Sequence, residues 1–209
     1  MRTIDGAERR LLLSEAVWRI ILRDGFEAAS VRAVAAEASL STGSVRHFFA
    51  TQDELHVFSM EALIDRMGER VRTILEQAWT LDDTEPGWTP ARGRRAVTTV
   101  LHELLPLTPE REELFRTQLQ FIARATVSER LRPMAARLAE EVDALVRHLV
   151  QSLVDTGAAR ADLDVASASA MLALLLDGID VRLLTAPDTL STVEAVRLVD
   201  DCLDGWVAR

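Results

Sequence analysis

The sequence predicts an all-α protein, on three observations. Apolar residues recur at i, i+3, i+4 and i+7 along most of the chain, the period of one helix face. No segment alternates apolar and polar residues between turn signals, as a half-buried strand would. Tyr is absent and β-branched runs are short, whereas Ala, Leu, Arg and Glu abound.

The elements follow in order. A first helix is expected over residues 7–23, with Leu13, Ala16, Val17, Ile20 and Ile21 on one stripe and Asp24-Gly25 as its stop. Ser30 is placed to cap a short helix over 31–37, and Ser41 another over 42–48. The next starts at Gln52-Asp53-Glu54, where acids suit the positive end of the helix dipole, and runs to about residue 79. Residues 81–90 combine acids, two Pro and a Gly, the clearest break in the chain, and read as a loop. Later helices are expected over 91–105, 109–126, 129–155, 164–184 and 191–207, punctuated by Pro106, Pro109, Gly157 and Pro187. There is no internal repeat.

Composition bounds the function. At 209 residues the chain can bury a sizeable core without staples. Cys202 is its single cysteine, which excludes an intramolecular disulfide or a cysteine zinc cluster and fits a reducing cytoplasm. The N-terminus lacks the apolar run of a signal peptide, and the longest apolar stretch, residues 170–176, is far short of a membrane span, so a soluble cytoplasmic protein without membrane contact is expected. The net charge of −9 argues at first against a nucleic-acid partner. The acidity is unevenly spread: through Met60 there are seven Arg against eight acids, and beyond it 17 against 25. Lys is absent, so every fixed cation is an Arg, whose planar fork suits phosphate and guanine.

The two short helices are joined by Ala38-Ser39-Leu40-Ser41, the spacing of a helix-turn-helix whose second helix enters the major groove. Val34 and Ala35 can face inward, Leu40 can plug the turn, and Val45 with Phe48 or Phe49 can anchor the second helix. That leaves Thr42, Ser44, Arg46 and His47, all donors, to point outward.

Over residues 9–60 several motifs stand in one register: Ala16, Gly25-Phe26, Ser30-Val31, Val34-Ala35, Ala38, Leu40-Ser41, Gly43-Ser44-Val45, Phe49 and Asp53-Glu54-Leu55. This segment resembles the N-terminal domain of the TetR family of transcriptional regulators. The resemblance implies a three-helix DNA-binding domain over residues 1–50 and a larger helical effector-binding and dimerisation domain over 51–209. It also implies DNA contacts from Ser30, Arg32, Ser41, Thr42, Gly43, Ser44, Arg46, His47 and Gln52. Three positions depart from the family pattern: Arg46 stands for the usual Tyr, Gln52 for the usual Lys and Ser39 for the frequent turn Gly. Either Ser39 adopts a left-handed conformation, at about 1 kcal/mol, or the turn has another shape.

In the second part, the helix over 164–184 carries too much apolar surface to stand exposed, and Val193, Val196, Val199, Leu203 and Trp206 recur at helical spacing in the last helix. The two could build a four-helix bundle with a second copy or pack within one chain. By the resemblance they form a homodimer interface, for which the candidates are Met171, Leu175, Asp177, Gly178, Arg182, Val196, Val199, Leu203 and Trp206. The resemblance likewise implies a pocket for a small, apolar effector, with Met60, Met67, His102, Phe115, Gln118, Phe121, Met134 and Met171 as candidate lining residues. The function implied is a ligand-responsive repressor on a palindromic double-stranded operator. The competing class is a helical small-molecule-binding protein or enzyme without DNA function. Against it, His47, His56, His102 and His148 are scattered, and the one carboxylate–histidine pair at i,i+3 spacing is Asp53 with His56, so no catalytic residue, metal or cofactor is expected.

Overall fold

The computed structural model of the chain describes residues 6–80 and 89–207. Within them the order is α1 (Gly6–Asp24), a 3₁₀ turn (Phe26–Ala28), α2 (Val31–Glu37), α3 (Thr42–Phe48), α4 (Gln52–Thr80), α5 (Pro90–Glu103), α6 (Pro109–Ala125), α7 (Arg132–Asp155), α8 (Val165–Thr185), a second 3₁₀ turn (Pro187–Thr189) and α9 (Thr192–Asp204). No strand occurs among the described residues. The loop expected over 81–90 lies, apart from its last two residues, outside them.

The helix ends follow local chemistry. Ser30, Ser41, Thr89, Asp164 and Ser191 each accept a backbone N–H of the first turn, and Ser191 with Glu194 forms a reciprocal capping box. Two expected boundaries are corrected. α7 starts at Arg132 rather than 129, because residues 126–131 form turns around the Thr126 and Val127 N–H bonds to Ala123 and Arg124. α9 stops at Asp204, so Trp206 lies beyond the helix.

The chain divides into two compact units, residues 1–67 with 113–138, and 68–112 with 139–209. α4, α6 and α7 each contribute to both, so this division runs differently from the expected division at residue 50. In the first unit α1 buries Leu13, Ala16, Val17, Ile20 and Ile21, the stripe read from the sequence. The Trp18 indole Nε1 donates to the Ser59 carbonyl at 3.0 Å, fixing α1 against α4. In the second unit Val97, Val100 and Leu101 of α5 meet Leu149 and Leu153 of α7, Leu172, Leu176 and Ile179 of α8, and Val199 and Leu203 of α9. Gly93 of α5 sits where a Cβ would come within 2.3 Å of the Thr156 Oγ1, so glycine is required by close approach rather than by backbone angle.

Ser39 has φ 55°, which decides the turn question in favour of the left-handed conformation. An L side chain there is strained, and glycine relieves that strain at some cost in unfolded-chain entropy. Ser39→Gly is therefore expected to stabilise by up to about 1 kcal/mol and to raise Tm by about 2–4 °C. A thermal melt with no increase would show that the turn holds serine without strain.

Asp180 of α8 is a second site of stored cost. Its Oδ1 has neither solvent nor a hydrogen-bond partner among the described residues. Burial pushes its carboxyl up to about 8, and the neighbouring Asp177 adds to the shift. Between the ordinary carboxylate range and that value the folded chain holds a proton that the unfolded chain releases. Stability at this site therefore falls as pH rises from about 4 to about 8. Asp180→Asn is expected to gain in Tm over the wild type progressively from pH 5 to pH 8.5; a constant difference across that range would contradict a neutral Asp180.

Candidate nucleic-acid interface

α3 is seven residues long, too short to persist alone in water, and is held at both ends and on one face. At its start the Ser44 N–H donates to Ser41 Oγ at 3.0 Å, and the two hydroxyls lie 2.9 Å apart. Its inner face is fixed by Val45, fully buried between the helices. At its end the Phe49 side chain is 1% exposed, so the anchor is Phe49, while Phe48 is half-buried. The Phe49 ring lies 5.4 Å from Phe58 of α4, and the Arg10 guanidinium of α1 sits 4.4 Å from Phe58 and 5.0 Å from Phe49. Sequence reasoning did not single out Arg10. Its role comes from the meeting of α1 and α4, which no local spacing signals.

These anchors leave one face of α3 in solvent. Ser41, Thr42, Gly43, Arg46 and His47 are exposed, Ser44 is half-buried, and the His47 ring lies at the edge of Phe48 at 5.2 Å. Arg32 on α2 and Gln52 at the start of α4 are also exposed, and Ser30 is half-buried as the cap of α2. A Cβ on Gly43 would meet only Ser41 Oγ, at 3.7 Å, so the chain itself does not require glycine there.

The electrostatics of this face differ from the rest of the chain. Residues 38–52 contain no carboxylate, in a protein with 33 of them. The nearest acid upstream, Glu37, is taken up by Arg19 at 3.0 Å and Arg23 at 3.1 Å, and these hydrogen bonds hold its carboxyl below the usual range. Exposed ion pairs stabilise little, but here they neutralise the one negative charge beside the turn. A solvent-facing set of hydroxyls, Arg46 and His47, in a stretch without carboxylates, can donate to phosphates and base edges.

The family description "BetI-type transcriptional repressor, C-terminal", a TetR C-terminal family, matches residues 93–208. The chain belongs to the TetR family of transcriptional regulators. This TetR-family protein is 28% identical over 186 residues to the HTH-type transcriptional regulator PksA of Bacillus subtilis (strain 168), covering 89% of this chain and 83% of that one. Its fold is similar to that of a TetR transcription regulator from Haloarcula marismortui ATCC 43049, with TM-score 0.80 at 18% identity over 97% of this chain and 100% of that one. It is also similar to the multidrug binding protein EbrR complexed with malachite green, with TM-score 0.61 at 26% identity over 93% and 98% of the two chains. These relatives are named as regulators or binding proteins.

The other candidate residues of this TetR-family regulator are placed as follows. Met60, Met67, Phe115, Gln118, Phe121 and Met134 belong to the first unit, and His102 and Met171 to the second. Met60 and Phe121 are buried in the core, 1% and 0% exposed. Gln118 is half-buried, and its Oε1 lacks a partner among the described residues. His102 is held by Asp200 at 3.2 Å. Met171 projects outward from α8, 61% exposed, which suits an interface rather than a pocket within its unit.

On α8, Asp177, Gly178 and Arg182 are exposed and Leu175 is half-buried, as is Val196 on α9. Val199, Leu203 and Trp206 are corrected as partner-facing residues: all three are buried in the core of their own unit. Val193, read from the sequence as part of the last helix's stripe, is exposed, and sequence reasoning missed Leu174, 71% exposed, with Val181 and Leu198, exposed on the same two helices. With Met171 and Gly178, Leu174 and Val181 follow a 3-4-3 spacing, a continuous apolar stripe on the outer face of α8. Among the described residues no group of His, Cys, Asp and Glu could hold a metal, and no helix is long and apolar enough to cross a membrane.

Proposed function

We propose that this regulator is a repressor that binds a palindromic operator as a homodimer and is released by a small-molecule effector. The observation that carries the reading is the solvent-facing, acid-free side of α3, held rigid from behind by Val45 and Phe49. In it Thr42, Ser44, Arg46 and His47 probe the major groove, and Gly43 leaves room for close approach of the duplex. Ser30, Arg32, Ser41 and Gln52 contact the phosphate backbone. A seven-residue helix reads few base pairs, so two copies on half-sites roughly 34–36 Å apart supply the affinity that one lacks.

The apolar stripe of α8, with Val193 and Leu198 of α9, supports the dimer, because a soluble chain gains by covering such a strip with a second copy. The likeness to EbrR, whose structure holds malachite green, supports a small-molecule effector with bulky aromatic surface. Such a ligand acts by binding more tightly to the arrangement whose recognition helices no longer match adjacent grooves.

Selection of bound sequences from random duplexes, followed by mobility-shift assays, tests the reading. Recovered duplexes should share an inverted repeat. Arg46→Ala should weaken binding by about 1–3 kcal/mol if it reads a base, or lower the salt slope by about 0.9 if it meets a phosphate. Ser44→Ala removes a hydroxyl already tied to Ser41 and should cost less. Recovery of no preferred sequence, with no salt-dependent binding to any duplex, would overturn the proposal.

A further inference from the structure

The Asp53–His56 pair noted in the sequence has no part in the function described so far. In the structure His56 is 5% exposed, and its Nε2 lies 2.7 Å from the carbonyl oxygen of Ala29, the fully buried residue just before the cap of α2. With the proton on Nε2 the ring donates to that carbonyl. The Phe26 ring of the 3₁₀ turn stands edge-on to His56 at 4.7 Å and edge-on to Phe121 of α6 at 5.5 Å. Charged groups surround the imidazole from each neighbouring element: Glu27 from the 3₁₀ turn, Asp53 from α4, Arg124 from α6 and Arg130 from the α6–α7 connection. They are paired, Glu27 with Arg124 at 2.9 Å and Asp53 with Arg130 at 3.2 Å. A polar notch of about 50 Å³ opens between them onto the ring.

We propose that His56 is a positioning residue for DNA binding, holding the turn that leads into α2 while its ring is neutral and releasing that turn when it takes up a proton. The inference rests on the operator-binding reading above. α2 packs directly on α3, so whatever fixes the backbone at Ala29 fixes the recognition helix in turn. Burial keeps the imidazole below its ordinary range, which favours the neutral, donating form near neutral pH. A proton on the ring places a buried cation beside Arg124, and the nearest counter-charges, Asp53 and Glu27, are already committed. The Nε2–H bond to Ala29 is kept on protonation and favours the charged ring, but the cost of holding that charge in a buried site is larger, and it is relieved when the 3₁₀ turn moves and lets water reach the ring.

The sign follows from linkage. The folded, DNA-competent form binds its proton at lower pH than the released form, so operator affinity from this site is full above the ordinary imidazole range and is lost as pH falls.

The test measures Kd for the selected operator duplex from about pH 8 to about pH 5.5 in the wild type and three variants. Wild-type Kd should rise as His56 titrates, toward about tenfold per pH unit for each linked proton and so about a hundredfold for a dimer that carries two. His56→Gln, which can donate from its amide but does not titrate, should keep the wild-type Kd at pH 8 and lose that rise. His56→Leu, with no donor, should bind weakly at every pH. His47 is common to all of these proteins, so its contribution cancels in their ratio. Glu27→Gln, an exposed change, should move the midpoint of the rise to lower pH and carries the test if His56→Gln does not fold. Identical pH profiles in wild type and His56→Gln, or an unmoved midpoint in Glu27→Gln, would overturn the inference and leave operator binding standing. Absence of operator binding at every pH would overturn both.

Discussion

Replacing Leu174 by glutamate is expected to yield a folded monomer whose operator affinity is lower by at least about a hundredfold. Leu174 is the most exposed apolar residue of α8 and makes little contact within its own chain, so the substitution leaves the core of its unit untouched. In the proposed dimer the two-fold axis brings each stripe against its mate. A carboxylate on both sides then has to be desolvated beside its like, which costs several kcal/mol. Loss of the dimer separates the two recognition helices, and a deficit of about 3 kcal/mol corresponds to the hundredfold. Sedimentation of the wild type and the variant, with circular dichroism as the control for folding, measures the first part, and mobility shift the second. A Leu174→Glu protein that sediments as a dimer and binds operator like the wild type would show that this stripe is not the interface.

Phe49→Ala is expected to have the next largest effect. The Phe49 ring closes the end of α3 against Phe58, with Arg10 over both, and it is among the largest fully buried side chains. Truncation removes the transfer energy of the ring and leaves a cavity, together about 3–5 kcal/mol. A domain of this kind is stable by about 5–15 kcal/mol, so the loss is a large share of the total. α3 keeps Ser41 and Val45 but loses the anchor at its C-terminal end. Denaturant unfolding should show a lower midpoint at unchanged slope, and operator affinity should fall more than the loss of folded protein explains. A change below about 1 kcal/mol would mean that the site collapses around the missing ring and that α3 does not depend on it.

Much of this protein was legible in its sequence. The helices were readable because most carry a period of 3.6 and several a side-chain cap, as with Ser30, Ser41 and the Ser191–Glu194 box. The outward set on α3 was readable as well, because Val45 and Phe49 leave one face free in a seven-residue helix. The 3₁₀ turn at Phe26–Ala28 was not, since its geometry comes from Phe26 packing against His56 and Phe121 rather than from local propensity. Ser39 lay between the two cases: the sequence posed the choice of backbone angle, and packing decided it.

The sequence by itself determined the all-helical class, the order and approximate bounds of the helices, and a recognition stretch free of carboxylates. These depend on neighbours within a few positions along the chain. Only the tertiary structure decided which apolar residues face outward. α8 is apolar around most of its circumference, so its pattern cannot separate the inner Leu172 and Leu176 from the outer Met171 and Leu174. On α9 two apolar stripes compete, and burial assigns Val199 and Leu203 to the core and Val193 and Leu198 to solvent. The same holds for the His56 cage, whose members come from three stretches far apart in sequence, at residues 26–27, 52–56 and 124–131. Periodicity reports that a face is apolar, and the arrangement of other helices around it selects what that face meets.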